Sequence, residues 1–74
     1  MARTLAELGL GEVCRIEALH PDAKRAQRLM DLGFIGGAQV EAALRSPFGD
    51  PTAYLVADTL IALRRSDAET ITIA

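Results

Sequence analysis

The architecture of this chain follows from one segment near its middle, Arg25-Ala26-Gln27-Arg28-Leu29-Met30-Asp31-Leu32-Gly33-Phe34-Ile35-Gly36-Gly37. Its apolar residues recur at helical spacing, because Ala26, Leu29 and Met30 lie at i, i+3 and i+4 and share one helix face. Gly33 stands where a left-handed residue ends a helix, and the apolar Phe34 after it can pack back on the last turn. Two further glycines then form a turn. The segment therefore predicts one short α-helix with a defined end.

The rest of the sequence is mostly of β character. Asp22 follows a proline and can cap the helix, which we place near residues 22–32. Apolar and polar residues alternate with a period of two in the other segments. The predicted strands are 12–19, 39–46, 52–56, 59–63 and a last one at 71–73. Short strands joined by close turns predict a small β-barrel of about five strands with one α-helix. With 74 residues and no linker, we expect one domain, 1–74.

Two further turns of helix are predicted by capping boxes, in which a serine or threonine precedes a glutamate by three residues. Thr4 with Glu7 predicts a turn near the N-terminus, and Ser66 with Glu69 predicts one before the last strand.

Composition excludes several classes of protein. Half of the residues are hydrophobic but only 4% are aromatic, so the core must be mainly aliphatic. The net charge of −2 argues against a nucleic-acid binder, which needs a basic surface. The single cysteine, Cys14, excludes an intrachain disulfide and fits a reducing, cytoplasmic location. No apolar run approaches the ~20 residues of a membrane span, so we expect any link to a membrane to go through a partner.

Residues suited to catalysis or metal binding are few. His20 and Asp22 offer at most two ligands, whereas a structural zinc site needs four, and they are interpreted as a loop residue and a helix cap. Cys14 lies in a predicted strand beside Ile16 and is interpreted as a small buried hydrophobe. A nucleophile would need a base within reach, and the sequence shows none. We therefore expect no catalytic residue, no metal site, no cofactor and no enzyme activity.

The predicted helix carries the features of a binding surface. Arg25 and Arg28 place positive charge on its first turns, where the helix dipole disfavours cations. The alternative is that this is an ordinary solvated helix face, on which an ion pair between Arg28 and Asp31 partly offsets the unfavourable placement of the cations. The apolar residues of the segment exceed what one narrow helix face can hide, although all of them could belong to the core. The candidate partner-binding residues are Arg25, Arg28, Leu29, Met30, Phe34 and Ile35.

Three segments in register resemble the ferrous iron transport protein A (FeoA) family. Residues 25–37 are similar to its helix and glycine turn, and Pro47-Phe48-Gly49-Asp50-Pro51 is similar to its Pro-x-Gly-Asp-Pro loop. Residues 61–68 are similar to its Ala-Leu-Arg-x-x-x-Ala segment. The order and spacing agree over nearly the whole chain. Thr52, where the family favours a larger apolar residue, and Ala57-Asp58, where it often has glycine, depart from the pattern.

The resemblance implies an SH3-like barrel and a small cytoplasmic accessory protein. Its implied partner is a membrane ferrous iron transporter with a cytosolic GTP-binding domain, so the protein would reach the inner membrane through that partner without inserting into it. Because strand edges of small barrels can pair, a weak homo-oligomer is also expected.

Other functions stay open at this point. The first is an SH3-like regulatory or peptide-binding module similar to the C-terminal domain of metal-dependent repressors. The second is an iron chaperone that uses His20, Asp22 and surface carboxylates. A GTPase-activating role would require Arg25 or Arg28 to act on a phosphate bound by the partner.

Overall fold

The computed structural model describes residues 3–74. In chain order the elements are β1 (Arg3–Thr4), a 3₁₀ turn (Leu5–Glu7), β2 (Val13–Leu19), α1 (Ala23–Asp31), β3 (Gln39–Arg45), β4 (Thr52–Val56), β5 (Thr59–Leu63), α2 (Arg65–Ala68) and β6 (Ile71–Ile73). The first two residues of the predicted domain, 1–74, lie outside the described residues.

All strands pair antiparallel in one six-stranded sheet with the order β1-β6-β2-β3-β4-β5. The mainly β class and the single longer helix are as predicted. The sheet has one strand more than the predicted five, because two residues, Arg3 and Thr4, pair with the C-terminal strand β6. So short a strand has no alternation of its own, and its pairing partner is distant in sequence.

The core lies under this sheet and is mainly aliphatic, as the composition requires. Alternate residues of β2 and β4 face it, among them Ile16, Tyr54 and Val56. The buried hydrophobic residues are Leu5, Leu8, Cys14, Ile16, Leu29, Phe34, Val40, Ala42, Tyr54, Val56, Leu63, Ala68, Ile71 and Ile73. The Tyr54 hydroxyl donates a hydrogen bond to the Leu5 carbonyl oxygen at 3.3 Å, so this buried polar group is satisfied. Burial raises the pKa of Tyr54.

One residue of β3 does not lie where the alternation predicts. By period, Leu44 shares the inner face with Val40 and Ala42. The register against β4 shifts between Ala42 and Leu44, and this bulge turns Leu44 outward, where it is 60% exposed. A bulge inserts one extra residue into a strand and so reverses the facing of the strand residues beyond it. The prediction for Leu44 is therefore wrong, and the outer sheet face gains an apolar side chain.

The two predicted capping boxes differ in outcome. Near the N-terminus, the Glu7 carboxylate accepts from the Thr4 backbone N–H at 2.7 Å, as predicted. Near the C-terminus, α2 begins two residues earlier than the predicted box allows, with Arg64 in place of Ser66 as its N-cap. Its first N–H, that of Arg65, instead donates to the Asp50 carboxylate at 2.9 Å. The proline-rich loop therefore caps α2 from a distance, which no local motif could reveal.

The β4–β5 turn is strained and offers a route to higher stability. Ala57 and Asp58 both have positive φ, 50° and 61°, as a type I′ turn requires. This conformation is unfavourable for alanine, whereas asparagine tolerates it. We expect Ala57→Asn to raise the free energy of unfolding by about 0.5–1 kcal/mol in urea titration. Ala57→Val, which is β-branched, should lower it; a gain with both variants would contradict the argument.

Candidate functional site

Helix α1 begins where the sequence predicts. The Asp22 carboxylate accepts a hydrogen bond from the Arg25 backbone N–H at 3.0 Å, which satisfies one free donor of the first turn. Its negative charge also offsets the unfavourable placement of Lys24 and Arg25 at the positive end of the helix dipole. The Asp22 carboxylate thus fixes the first turn of α1, and it allows Lys24 and Arg25 to lie there without breaking the helix.

The end of α1 is a Schellman motif. Gly33 takes φ +110°, its N–H donates to the Met30 carbonyl at 3.0 Å, and the Phe34 N–H donates to the Leu29 carbonyl at 3.0 Å. This turn directs the Phe34 side chain into the core, where it has no exposed surface. A side chain at Gly33 would approach the Cβ atom of Ala57 to 3.4 Å. That separation is an ordinary van der Waals contact, so glycine is favoured here by the positive φ of the turn.

The residues after Phe34 are held against strand β2. The Gly37 N–H donates to the Ile16 carbonyl at 2.8 Å, and the Ile16 N–H donates to the Ala38 carbonyl at 2.9 Å. The Arg15 guanidinium donates to the Gly37 carbonyl at 2.9 Å. Ile35 thus projects from a segment anchored at both ends.

Three apolar side chains at the end of α1 lie open to solvent. Met30 is 40% exposed, Leu32 45% and Ile35 49%. We call these three residues the helix-end patch. Arg28 is exposed one helical turn before Leu32 and borders the patch. Met30 and Leu32 are two residues apart and leave the helix in different directions, so the three side chains surround the end of the helix. Exposed apolar side chains at a fixed helix end, beside a cation, are suited to contact with another protein.

Five of the six candidate partner-binding residues divide into two groups, and the sixth, Arg25, is intermediate in burial. Leu29, 5% exposed, and Phe34 lie in the core, so the structure corrects their assignment to a contact surface. The Schellman turn is the physical reason for Phe34, because it directs that side chain back onto the last helical turn, whereas Leu29 lies on the helix face that packs on the core. Met30, Ile35 and Arg28 remain at the surface.

The two arginines of the helix also differ. Arg25 is half-buried and forms an ion pair with Asp67 of α2. This hydrogen bond and the nearby negative charge raise the pKa of Arg25. Arg28 forms no ion pair with any residue in 3–74, and the predicted pairing with Asp31 is absent from that range, where Asp31 accepts from Gln27 at 2.9 Å. Arg28 thus keeps its charge available at the surface.

Leu32 is the member of the patch that sequence reasoning missed. It lies three residues after Leu29, a spacing that predicts a wider buried face. The helix ends immediately after it, with Leu32 at the C-cap, and the core is already filled by Leu29 and Phe34. The sequence does indicate that some apolar residues of this segment are exposed, because there are more of them than the helix face can bury. It does not indicate which ones.

The candidate metal ligands are occupied by structural roles. His20 is exposed and its Nε2 lies 3.2 Å from the Thr72 hydroxyl, while Asp22 caps α1. Cys14 is buried in β2. Within the described range, no three histidine, cysteine, aspartate or glutamate side chains are grouped so that they could hold a metal ion.

Two of the cavities that residues 3–74 form indent the surface, and neither is lined by the helix-end patch. One, of about 140 Å³, is lined by Ala6, Arg45, Gly49, Thr52, Tyr54, Leu63 and Arg65. The other, of about 210 Å³, is lined by Gln39, Glu41, Leu55, Ala57 and Asp58. Both are smaller than the ~300 Å³ typical of small-molecule sites. Neither of these cavities lies at the helix-end patch, and its exposed apolar side chains are suited to contact with a macromolecule.

The buried thiol gives a simple check of the core. Cys14 is 9% exposed, and desolvation raises the pKa of its thiol, which lowers the thiolate fraction at any pH near 8. We expect alkylation by iodoacetamide at pH 8 to be at least about tenfold slower in the native chain than in urea. The native rate should also need a higher pH to reach its plateau. Equal rates in the two states would show that Cys14 is accessible.

Comparison with known proteins places the chain in a family. The model of the FeoA domain matches residues 3–74. The chain belongs to the FeoA family. No protein of curated function gives a significant sequence match. In this FeoA domain no helix within residues 3–74 is both long enough and apolar enough to cross a membrane.

Solved structures agree with this assignment. The FeoA protein of Chlorobium tepidum superposes with a TM-score of 0.90 at 32% identity, over 96% of this chain and 68% of that chain. The FeoA of Stenotrophomonas maltophilia, solved with zinc, gives 0.86 at 34% identity, over 99% of this chain and 91% of that chain. That protein is described as a prokaryotic SH3 domain protein and a candidate activating factor of ferrous iron transport. The SH3-like fold predicted from the family resemblance is confirmed.

The fold also occurs in a regulator. A manganese-dependent transcriptional repressor gives a TM-score of 0.83 at 16% identity, over 99% of this chain and 41% of that chain. At this identity the likeness concerns the fold alone.

Proposed function

We propose that this FeoA domain is a non-enzymatic accessory protein that binds the cytosolic GTP-binding domain of a membrane ferrous iron transporter. The observation that carries the proposal is the helix-end patch, an exposed apolar surface on a rigid helix terminus, in a family with a member described as a candidate transport-activating factor. The proposal places the protein in the cytoplasm and at the inner membrane through its partner.

The patch has the composition of a contact surface centre. When a partner covers exposed methionine, leucine and isoleucine side chains, the free energy of the complex falls by roughly 25 cal/mol per Å² of apolar area buried. Arg28 at the edge supplies a charge that favours an acidic partner surface and speeds encounter with it. Affinity for the partner would therefore come mainly from Met30, Leu32 and Ile35. Arg28 would orient the partner.

The residues beneath the patch act as its support. Leu29 and Phe34 anchor α1 to the core, and the Arg25–Asp67 ion pair links α1 to α2. Because these contacts fix the helix end before binding, little conformational entropy is lost on docking. In this proposal the domain contributes position and surface, and the transporter contributes the GTP chemistry.

The proposal is tested by capture from membranes. The tagged chain, expressed at native level, is recovered from mildly solubilised membranes, and the bound proteins are identified by mass. Recovery of the ferrous iron transporter is expected, reduced by high salt because Arg28 contributes charge. Recovery of a soluble partner without the transporter would contradict the proposal and support the regulatory or peptide-binding module.

A further inference from the structure

Strand β5 lies open at one edge of the sheet. In the part of the chain that the structure describes, β4 is the one strand that pairs with it. Its sequence, Thr-Leu-Ile-Ala-Leu, has neither a charge nor a proline. Edge strands are normally protected by lysine, proline or a bulge, because their free N–H and C=O groups can pair with another strand. An unprotected edge of this kind is suited to a strand partner.

The β4–β5 turn determines which backbone groups are free. In a two-residue type I′ hairpin the residues flanking the turn, here Val56 and Thr59, form a hydrogen-bonded pair. Hydrogen-bonded and non-hydrogen-bonded pairs alternate along the ladder, so Ile61 also bonds to β4. The N–H and C=O groups of Leu60 and Ala62 therefore point away from the sheet.

We propose that β5 pairs antiparallel with β5 of a second copy of this chain, about a two-fold axis at Ile61. In this register Leu60 lies opposite Ala62 of the second copy, and Ala62 lies opposite its Leu60. Both positions have outward-pointing backbone groups, so each forms a hydrogen-bonded pair and four bonds result. The proposal is independent of the transporter-binding function.

The charged residues on either side of β5 favour pairing with a second copy of β5, and they favour one register of that pairing. Asp58 precedes β5 and Arg64 follows it; both are exposed, and neither forms an ion pair within residues 3–74. Positions 58 and 64 are equidistant from Ile61, so the two-fold axis brings the turn that carries Asp58 beside the end of β5 that Arg64 follows in the second copy. Moving the axis by one residue in either direction removes both charge pairs, because Arg64 then lies opposite Val56 or Leu60 and Asp58 opposite Ala62 or Ser66. Opposite charges facing across paired strands are stabilising, and two such pairs form by symmetry.

Symmetry also favours a second β5 over the other open edge. Strand β1 is two residues long, whereas β5 has five. Pairing of β5 with itself closes after two copies, as in most homodimers. In this pairing the exposed Leu60 side chain lies beside the small, exposed side chain of Ala62 in the other copy. A five-residue edge buries little area, so the dimer belongs to the weak, reversible class.

The test measures mass and backbone protection together on the full chain. Sedimentation equilibrium from about 10 µM to about 1 mM should show the mass rising from 7.9 kDa toward twice that value. Amide hydrogen exchange, followed by NMR, should show Leu60 and Ala62 becoming protected as concentration rises. The Thr59, Ile61 and Leu63 amides, already bonded to β4, should be protected at every concentration.

Charge reversal tests the register. Arg64→Glu places like charges opposite each other twice per dimer, and the dissociation constant should rise about tenfold. Adding Asp58→Lys to it should restore the wild-type constant. Lys24→Glu makes the same change in charge on α1 and should leave the dimer unchanged. Circular dichroism verifies that each variant is folded.

Three outcomes would overturn the proposal. The first is a monomer at about 1 mM, and the second is a dimer in which the Leu60 and Ala62 amides still exchange freely. The third is a monomeric chain in which Arg64→Glu abolishes capture of another protein, which would assign the edge to a foreign strand. None of these depends on the helix-end patch, so the transporter proposal is judged separately.

Discussion

Replacing Phe34 with alanine should unfold the domain. Phe34 has no exposed surface and follows the Schellman turn that ends α1, so its ring joins the helix to the core. Removing a buried phenylalanine ring costs about 3–5 kcal/mol, because the transfer free energy is lost and a cavity remains. A core in a chain of this size supplies only about 3–5 kcal/mol of net stability. The loss therefore approaches the whole free energy of unfolding.

Urea denaturation followed by circular dichroism measures this effect. The matched control is Phe48→Ala, which makes the same change at a side chain that is 96% exposed. We expect that control to alter the free energy of unfolding by less than about 0.5 kcal/mol. Similar losses in the two variants would show that Phe34 is not the residue that locks the helix to the core.

Replacing Ile35 with glutamate should abolish transporter capture while the domain stays folded. Ile35 is 49% exposed, so a charge there keeps its solvation in the free chain. In the complex the carboxylate would be buried among apolar groups without a partner, a loss that exceeds the usual hot-spot threshold of about 2 kcal/mol. Affinity should therefore fall more than about tenfold.

Two further variants locate the effect. Leu10→Glu introduces the same charge at an apolar side chain that is 55% exposed and lies outside the helix-end patch, and capture should be retained. Arg28→Glu should weaken capture at low salt more than at high salt, because it acts through long-range charge. Equal loss with Leu10→Glu and Ile35→Glu would show that net charge, not the patch, determines binding.

Local signals in the sequence are sufficient for most of the fold. Asp22 and Gly33 define the two ends of α1 through hydrogen bonds within a few residues, and the alternation in β2 and β4 follows from their buried face. The failures arise where distant contacts decide the outcome. The bulge at Leu44 depends on pairing with β4, and the start of α2 depends on Asp50 from another loop.

The candidate site is only partly predictable for a related reason. The excess of apolar residues in the helix segment indicates a surface, but Leu29 and Met30 are adjacent and equally apolar. Which of them is buried depends on how the helix packs on the sheet, and that packing depends on residues distant in sequence. The pairing of Arg25 with Asp67, 42 positions away, is likewise invisible to helical periodicity.

The central claim is that the helix-end patch contacts the ferrous iron transporter, and photocross-linking in living cells tests it most directly. A photoreactive phenylalanine analogue is placed at Ile35 in one strain and at Leu10 in another, each at native expression. We predict an adduct of the chain with the transporter from position 35 and none from position 10. An adduct from position 10 alone, or an adduct from position 35 with a different protein, would contradict the account.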